Sequence, residues 1–454
     1  MNYYITKTPK SLDLVKQLLT FTNPAYEKAN RLGIPKARYM KPTLSLYHIE
    51  KDKIVIPFGT FYYLANMMGK TYKAKAPTIN YDGEMELYDY QIKAVEYLSH
   101  TNNCLLISGT GSGKTQMGIA LIKKLGLRTL WITHTQDLLD QSKNRFKQYF
   151  SNDIGEIAEG KVNIQDTTFA LIQTLSKIDL DLYKDLFDVV IIDEVQHLST
   201  NITNTTMYEK VLSKLNASYR YGLTATLHRA DGLEKVIEEL ISHDKYVVEE
   251  KALKKLKAKI NNIYYKEKVD KVVVGIDEYT NHEIYSLPYL DTDGTINYTK
   301  LINYLSNNNK RIEYIVNLVK SLKDKKVMIL THRKALCERL NALLDNSIYL
   351  ASNLSRNKRI EVIKAFKENR YKVFIATYQL AREGLDIPML DTLILATPIK
   401  DEAVVIQSIG RIERTWENKI DPQVYDIVDT DIAYCLGLKK QRNKILKRYK
   451  YVVE

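Results

Sequence analysis

The run Ser108-Gly109-Thr110-Gly111-Ser112-Gly113-Lys114-Thr115 sets three glycines ahead of a lysine and a threonine. Without Cβ atoms, the glycines let successive backbone N–H groups curl round an anion, and a helix starting at Lys114 would add the positive end of its dipole. Lys114 would then reach the β- and γ-phosphates of a nucleotide, and Thr115 would offer its hydroxyl to Mg²⁺. Ser108 stands where the strict pattern has glycine, while Gly109, Gly111 and Gly113 keep the loop glycine-rich. Further on comes Val189-Val190-Ile191-Ile192-Asp193-Glu194, with Asp193 seventy-eight positions after Thr115. Four β-branched residues ending in two carboxylates describe a central strand that delivers acids to the carboxyl edge of a sheet, where open α/β sheets bind ligands. Asp193 is the candidate Mg²⁺ holder and Glu194 the group that orients or deprotonates a water. Gln407-Ser408-Ile409-Gly410-Arg411-Ile412-Glu413-Arg414 adds two arginines three positions apart, on one face if the run is helical. Guanidinium groups suit the charge that develops on a transferring phosphoryl group.

These residues need strands and helices to hold them. Short apolar runs at Cys104–Ser108, Thr129–His134, Phe169–Gln173, Val189–Ile192 and Tyr219–Leu223 alternate with helical periodicity. The pattern repeats at Val327–Leu330, Ser347–Leu350, Val373–Ala376, Thr392–Ala396 and Val424–Val428. The alternation predicts an α/β fold of two tandem parallel-sheet domains, 83–250 and 251–454, behind a small basic α+β domain, 1–82. In the first 80 residues a helix is expected near Ser11–Thr20 and a strand at Lys53–Pro57. The charge-rich stretch Asp244–Lys259 is the candidate linker, and residues 276–310 read as an insertion or a loop-and-helix connection.

The chain has 454 residues and a net charge of +13, which is concentrated at its ends. Residues 1–80 hold 13 Lys/Arg against 4 Asp/Glu, and residues 439–450 hold seven basic residues and no acid. Such patches fit a polyanion, because lysine and arginine neutralise phosphates and release counterions. Cys104, Cys337 and Cys435 lie far apart in apolar settings, which excludes a disulfide framework and fits a reducing, cytoplasmic setting. No 18-residue apolar run suggests a membrane span.

Taken together, the motifs resemble a superfamily 2 nucleic-acid helicase or translocase, over roughly Glu86 to Asp429. Leu87-Tyr88-Asp89-Tyr90-Gln91 is similar to the adenine-recognising segment and points to Gln91. Thr133–Gln141 resembles the first strand-contacting motif, which points to Thr135. Gln173-Thr174-Leu175 resembles the next. Thr224-Ala225-Thr226 looks like the motif that couples hydrolysis to movement. Thr331-His332-Arg333 resembles motif IV, and Thr377–Ile387, with Gly384 and Asp386, resembles motif V. Gln407–Arg414 resembles motif VI.

The resemblance implies two RecA-like domains, with ATP and Mg²⁺ bound where the halves meet. Gln91, the phosphate loop, Gly384 and Asp386 would hold the nucleotide, and Lys114, Glu194, Gln407, Arg411 and Arg414 would act on it. Thr135, Gln173, Thr174, His332, Arg333 and Thr377 would grip the backbone of one strand, while Gln196, Thr224 and Thr226 would couple the two sites. Gln196 stands where relatives often have histidine, and His197 after it reads as structural.

Leu223–Asp231 looks most like the xeroderma pigmentosum B group, with Ala230 in place of the glutamate of its Arg-Glu-Asp tripeptide. Asn23–Lys28 with Arg31-Leu32-Gly33 is similar to the N-terminal module of phage helicases of the UvsW branch-migration type. The implied partner is forked, branched or duplex DNA, handled by a monomer alongside replication or recombination proteins and without a membrane. An RNA remodeller and a nucleotide-switched clamp are the alternatives.

Overall fold

The β-branched run ahead of Asp193 is buried on both faces, as a parallel strand between two layers of helices must be. It lies inside an eight-stranded sheet. The strand order is Lys245–Val247, Asn103–Ile107, Tyr219–Thr224, Val189–Asp193, Thr129–Thr133, Thr167–Leu171, Ile154–Ala158 and Lys161–Asn163. Every pairing is parallel except the terminal hairpin of the last two strands. A second sheet, wholly parallel, runs Lys259–Tyr265, Gln423–Asp429, Thr392–Leu395, Val327–Thr331, Val373–Thr377 and Ser347–Leu350. All ten predicted strands are present within one or two residues.

The structure is a computed structural model. It describes residues 3–68, 75–198, 207–227, 233–249, 256–276, 282–351, 354–382, 385, 387–417, 419 and 421–454. The chain divides into two units, Met1–Leu253 and Lys254–Glu454. Among the described residues no helix is long and apolar enough to cross a membrane, and all three cysteines are buried.

Two expectations are refined. The boundary between the units, Leu253 to Lys254, falls within the stretch read as a linker, but its start forms a strand, Lys245–Val247, paired beside Asn103–Ile107, and its end opens the strand Lys259–Tyr265. Short strands with lysines read as linker by composition, yet Tyr246 packs against the core of the first unit. Residues 276–310 are not plain loop and helix either. Glu283–Ser286 pairs antiparallel with Val272–Ile276 before the helix Tyr298–Asn307.

The N-terminal residues pack onto the first unit. The helix Pro9–Leu19 and the strand Lys53–Val55 form where expected, the helix capped by Thr8 with Ser11. Arg220, buried on the strand Tyr219–Thr224, lies 4.2 Å from the centre of the Phe58 ring. Burial pushes its pKa down to about 10, and its guanidinium donates to the carbonyls of Leu212 and Leu215. Thr60 Oγ1 donates to Glu239 at 2.6 Å, and Tyr62 Oη to the Ser218 carbonyl at 3.3 Å.

The basic C-terminal run is a helix, Ala433–Arg448. Arg442 within it is buried and makes a bidentate pair with Asp426 at 2.8 and 2.9 Å. Arg448 meets Glu402 and Lys439 meets the Tyr264 hydroxyl, so part of this charge serves the fold.

Candidate nucleotide site and nucleic-acid edge

The strand Asn103–Ile107 ends in the glycine run, and the helix Lys114–Leu125 follows at once. Gly111 and Gly113 have φ of 78° and 79°, in the left-handed region that glycine enters at no steric cost. At Gly113 a Cβ would also come within 2.5 Å of Gln91 Nε2. The loop is anchored to the neighbouring strand, because the Ser108 N–H donates to the Thr224 carbonyl at 3.0 Å. The Lys114 ammonium is buried and folds back on the Ser108 carbonyl at 3.2 Å. Ser108 Oγ and Ser112 Oγ are buried with no hydrogen-bond partner among the described residues. A cradle of N–H groups with two such hydroxyls fits a polyphosphate. Gln91 is buried against this loop: its Nε2 donates to the Ser112 carbonyl at 2.9 Å, and its Oε1 accepts from the Tyr88 N–H at 3.0 Å. Tyr90 Oη donates to the same Ser112 carbonyl at 3.0 Å, a brace that the sequence reading passes over although it adjoins Gln91.

Register brings the carboxylates to this loop. Thr224 pairs with Ile107, and Asp193 with Leu223, so three adjacent strands end together. Asp193 is buried, and its pKa is raised well above the usual carboxylate range. Burial is the main cause and Glu194 the second, with Lys114 working against them. A buried carboxylate so disfavoured as an anion is one that a divalent cation would stabilise. Glu194 has φ 51° and ψ 53°, a left-handed conformation that costs a non-glycine residue roughly 1–2 kcal/mol. The turn directs its carboxylate to Gln196, whose Nε2 donates to Glu194 Oε2 at 2.5 Å. Gln196 Oε1 lies 2.6 Å from Thr224 Oγ1, which accepts from the Thr226 N–H at 3.1 Å. Glu194, Gln196, Thr224 and Thr226 therefore form one hydrogen-bonded chain from the acid to the next strand. The amide of Gln196 spans a donor and an acceptor at once, which suits it to the position.

On the other side of Asp193 the strands Thr129–Thr133 and Thr167–Leu171 end level with each other. Thr135 caps the helix Gln136–Lys147, and Gln173 Nε2 donates to the His134 carbonyl at 2.7 Å. Thr174 follows on the same short helix, Ile172–Leu175, so Thr135, Gln173 and Thr174 share this edge.

In the second unit Thr331 pairs with Thr377, which places His332, Arg333 and Thr377 at one edge. His332 is held in its neutral form. Its Nδ1 lies 2.8 Å from Thr397 Oγ1 and its Nε2 3.2 Å from Tyr298 Oη. The Tyr298 proton goes to the Pro398 carbonyl at 2.7 Å, so Nε2 is the donor to Tyr298. Burial, then the Arg333 charge, lowers the His332 pKa to about 4. Arg333 Nε donates to Asn303 Oδ1 at 2.7 Å. Arg411 lies buried in the last turn of the helix Glu402–Ile412 and donates to the Leu385 carbonyl. Arg414 lies beyond that helix. The helix ends at Ile412, and its cap Glu413 has a buried carboxylate that accepts from the Ala258 N–H and the Tyr451 hydroxyl. Gln407 is buried, and its Oε1 has no hydrogen-bond partner among the described residues. Gly384, Asp386 and the tripeptide Arg229-Ala230-Asp231 lie outside the described residues.

Comparison with known proteins gives this geometry a family. Residues 84–229 match the model for the type III restriction enzyme res subunit, and residues 310–415 match the helicase conserved C-terminal domain. A putative ATP-dependent RNA helicase of Acanthamoeba polyphaga mimivirus is 28% identical, over 84% of this chain and 71% of that protein. The DNA 3'-5' translocase XPB2 of Sulfurisphaera tokodaii is 25% identical, over 73% of this chain and 79% of its own. Among solved structures, Saccharomyces cerevisiae Dbp5 bound to RNA and ADP BeF3 superposes with a TM-score of 0.55 at 15% identity. That match covers 80% of this chain and 87% of Dbp5, a likeness of fold. The phosphate loop, the buried acid pair and these matches lead to one conclusion: the chain belongs to the ATP-hydrolysing helicases of superfamily 2.

Proposed function

We propose that this helicase works on DNA, as an ATP-driven translocase that remodels forked or branched substrates. The observation that carries a motor reading is the hydrogen-bonded chain from Glu194 through Gln196 to Thr224 and Thr226, which joins the acid beside the phosphate loop to the adjoining strand. In this reading Lys114 draws the β- and γ-phosphates into the loop, and Glu194 orients the attacking water. Thr115 and Asp193 would hold Mg²⁺, whose charge would offset that of the phosphates. Arg411 and Arg414 supply guanidinium groups for the charge that develops during transfer. Thr135, Gln173 and Thr174 in the first unit, with His332, Arg333 and Thr377 in the second, contact one strand through its backbone, so the motor tolerates any sequence.

The choice of DNA rests on the resemblance of Leu223–Asp231 to the XPB group and on the exposed basic residues of the N-terminal module. Lys10, Lys28, Arg31, Arg38 and Lys41 are all exposed there, as is Tyr39, at 87%. An RNA substrate is the second reading, favoured by the name of the mimiviral relative. Measuring ATPase stimulation and strand separation on fork, Holliday junction, duplex DNA and RNA tests the proposal. The largest stimulation is expected with fork or junction, and stimulation by RNA alone would overturn it. Removing residues 1–80 would uncover Arg220, so the module is better tested by charge. The double substitution Lys28→Glu with Arg31→Glu should lower the slope of log affinity against log salt by about one for each phosphate no longer neutralised.

A further inference from the structure

The turn Val195–His197 follows Glu194 on the strand that lies between Tyr219–Thr224 and Thr129–Thr133. Val195 and Leu198 are buried and pin it, and the His197 N–H donates to the Glu194 carbonyl at 3.0 Å. Two side chains leave this turn for opposite neighbours. Gln196 reaches Thr224 on one side. On the other, the His197 ring lies on the His134 ring, with centroids 4.0 Å apart and planes 31° from parallel. His134 immediately precedes Thr135, and its carbonyl accepts from Gln173 Nε2 at 2.7 Å. The ring pair thus joins the loop that carries Glu194 to the loop that carries Thr135 and binds Gln173, two of the proposed strand contacts. Both histidines are half-buried, so the rings meet where neighbouring side chains restrain them.

We propose that His197 is a positioning residue: through its ring stack on His134, it passes movement of the Glu194 loop to the strand-contacting loop. This rests on the reading of the chain as an ATPase stimulated by nucleic acid. Glu194 and Gln196 are hydrogen-bonded, so a change at the nucleotide turns the short helix they share, and His197 turns with it. His134 follows because the rings are in contact, and the His134 carbonyl takes Gln173 with it. Gln196 and His197 then carry the same event to the two sides of the central strand.

The experiment uses the full chain and whichever nucleic acid stimulates the wild type most. It compares His197→Ala, His197→Phe, His134→Ala and the His134→Ala/His197→Ala double variant, with melting temperature as the check on folding. His197→Ala should leave ATP turnover without nucleic acid unchanged and lower the stimulated kcat by about two- to thirtyfold. His197→Phe, which keeps a flat ring, should restore at least half of that activity. The double variant should be no worse than either single one, because both remove the same ring pair. Equal loss of basal and stimulated turnover in a folded variant would overturn the inference. So would a phenylalanine variant as impaired as alanine, or additive losses in the double variant. A wild-type chain whose turnover no nucleic acid stimulates would instead overturn the proposed function.

Discussion

The two units build a similar edge from a similar sheet, yet they use their polar side chains differently. In the first unit, polar groups at the carboxyl edge stay in a reactive arrangement. Asp193 is buried next to Glu194, Glu194 sits in a strained turn, and two serine hydroxyls in the phosphate loop are buried without partners among the described residues. In the second unit, several buried charges are matched by partners of its own. Arg311 pairs with Asp429 at 2.6 and 3.0 Å and donates to the Ala396 carbonyl. Arg442 pairs with Asp426 and donates to the Ile399 carbonyl, and His332 is fixed between Thr397 and Tyr298. Satisfied buried pairs make a rigid body, whereas unsatisfied groups await a ligand. The first unit leaves buried hydroxyls in its phosphate loop for a ligand, whereas in the second the buried Arg311 and Arg442 are satisfied by carboxylates of the same unit.

The sharpest way to break that contrast is Lys114→Ala. It should lower ATP turnover by about 10³-fold or more while nucleic-acid binding at low salt persists, as read by phosphate release and a binding titration. Retained unwinding would remove the first unit from the chemistry. Next comes Asp426→Ala, which leaves the buried Arg442 guanidinium without its carboxylate. It should cost about 3–5 kcal/mol in urea unfolding, against a much smaller cost for an exposed pair such as Lys124 with Glu96.

His332 gives the pH arm of the comparison. Its folded pKa lies below the ordinary histidine value, so its contribution to stability is present at neutral pH and is lost as pH falls from about 6.5 toward 4. His332→Gln should therefore reduce the stability lost between pH 7 and pH 5 by about 2 kcal/mol relative to wild type. A variant with an unchanged pH profile would mean that the ring is not held neutral. The smallest effect is expected for Gln196→Ala, about tenfold in stimulated turnover, since one hydrogen bond to a carboxylate and one to a hydroxyl are removed. An equal effect of Tyr298→Phe in the second unit would erase the distinction between a wired edge and a self-satisfied one.

Much of the architecture is legible in the chain. Parallel strands buried on both faces are continuous apolar runs, which is why Val189–Asp193 and Val327–Thr331 stand out. The phosphate loop is legible for a related reason: its chemistry needs glycines and a lysine next to each other. The edge strands Lys245–Val247 and Ile154–Ala158 are less legible, because strands at or near a sheet edge carry polar residues and look like linkers. Arg414 lies past the end of the helix that carries Arg411, and the long-range partners of the cap Glu413, Ala258 and Tyr451, are ones that periodicity cannot foresee.

By itself, then, the sequence determined the order of elements, the phosphate loop and the acid pair, since each depends on residues adjacent along the chain. Only the tertiary structure decided which strands end side by side, and hence that Gln196 meets Thr224 and His197 meets His134. It also decided that Arg442, in the most basic run of the chain, is a buried partner of Asp426. Those outcomes depend on strand order and register, which arise from packing across tens of residues and leave no local pattern.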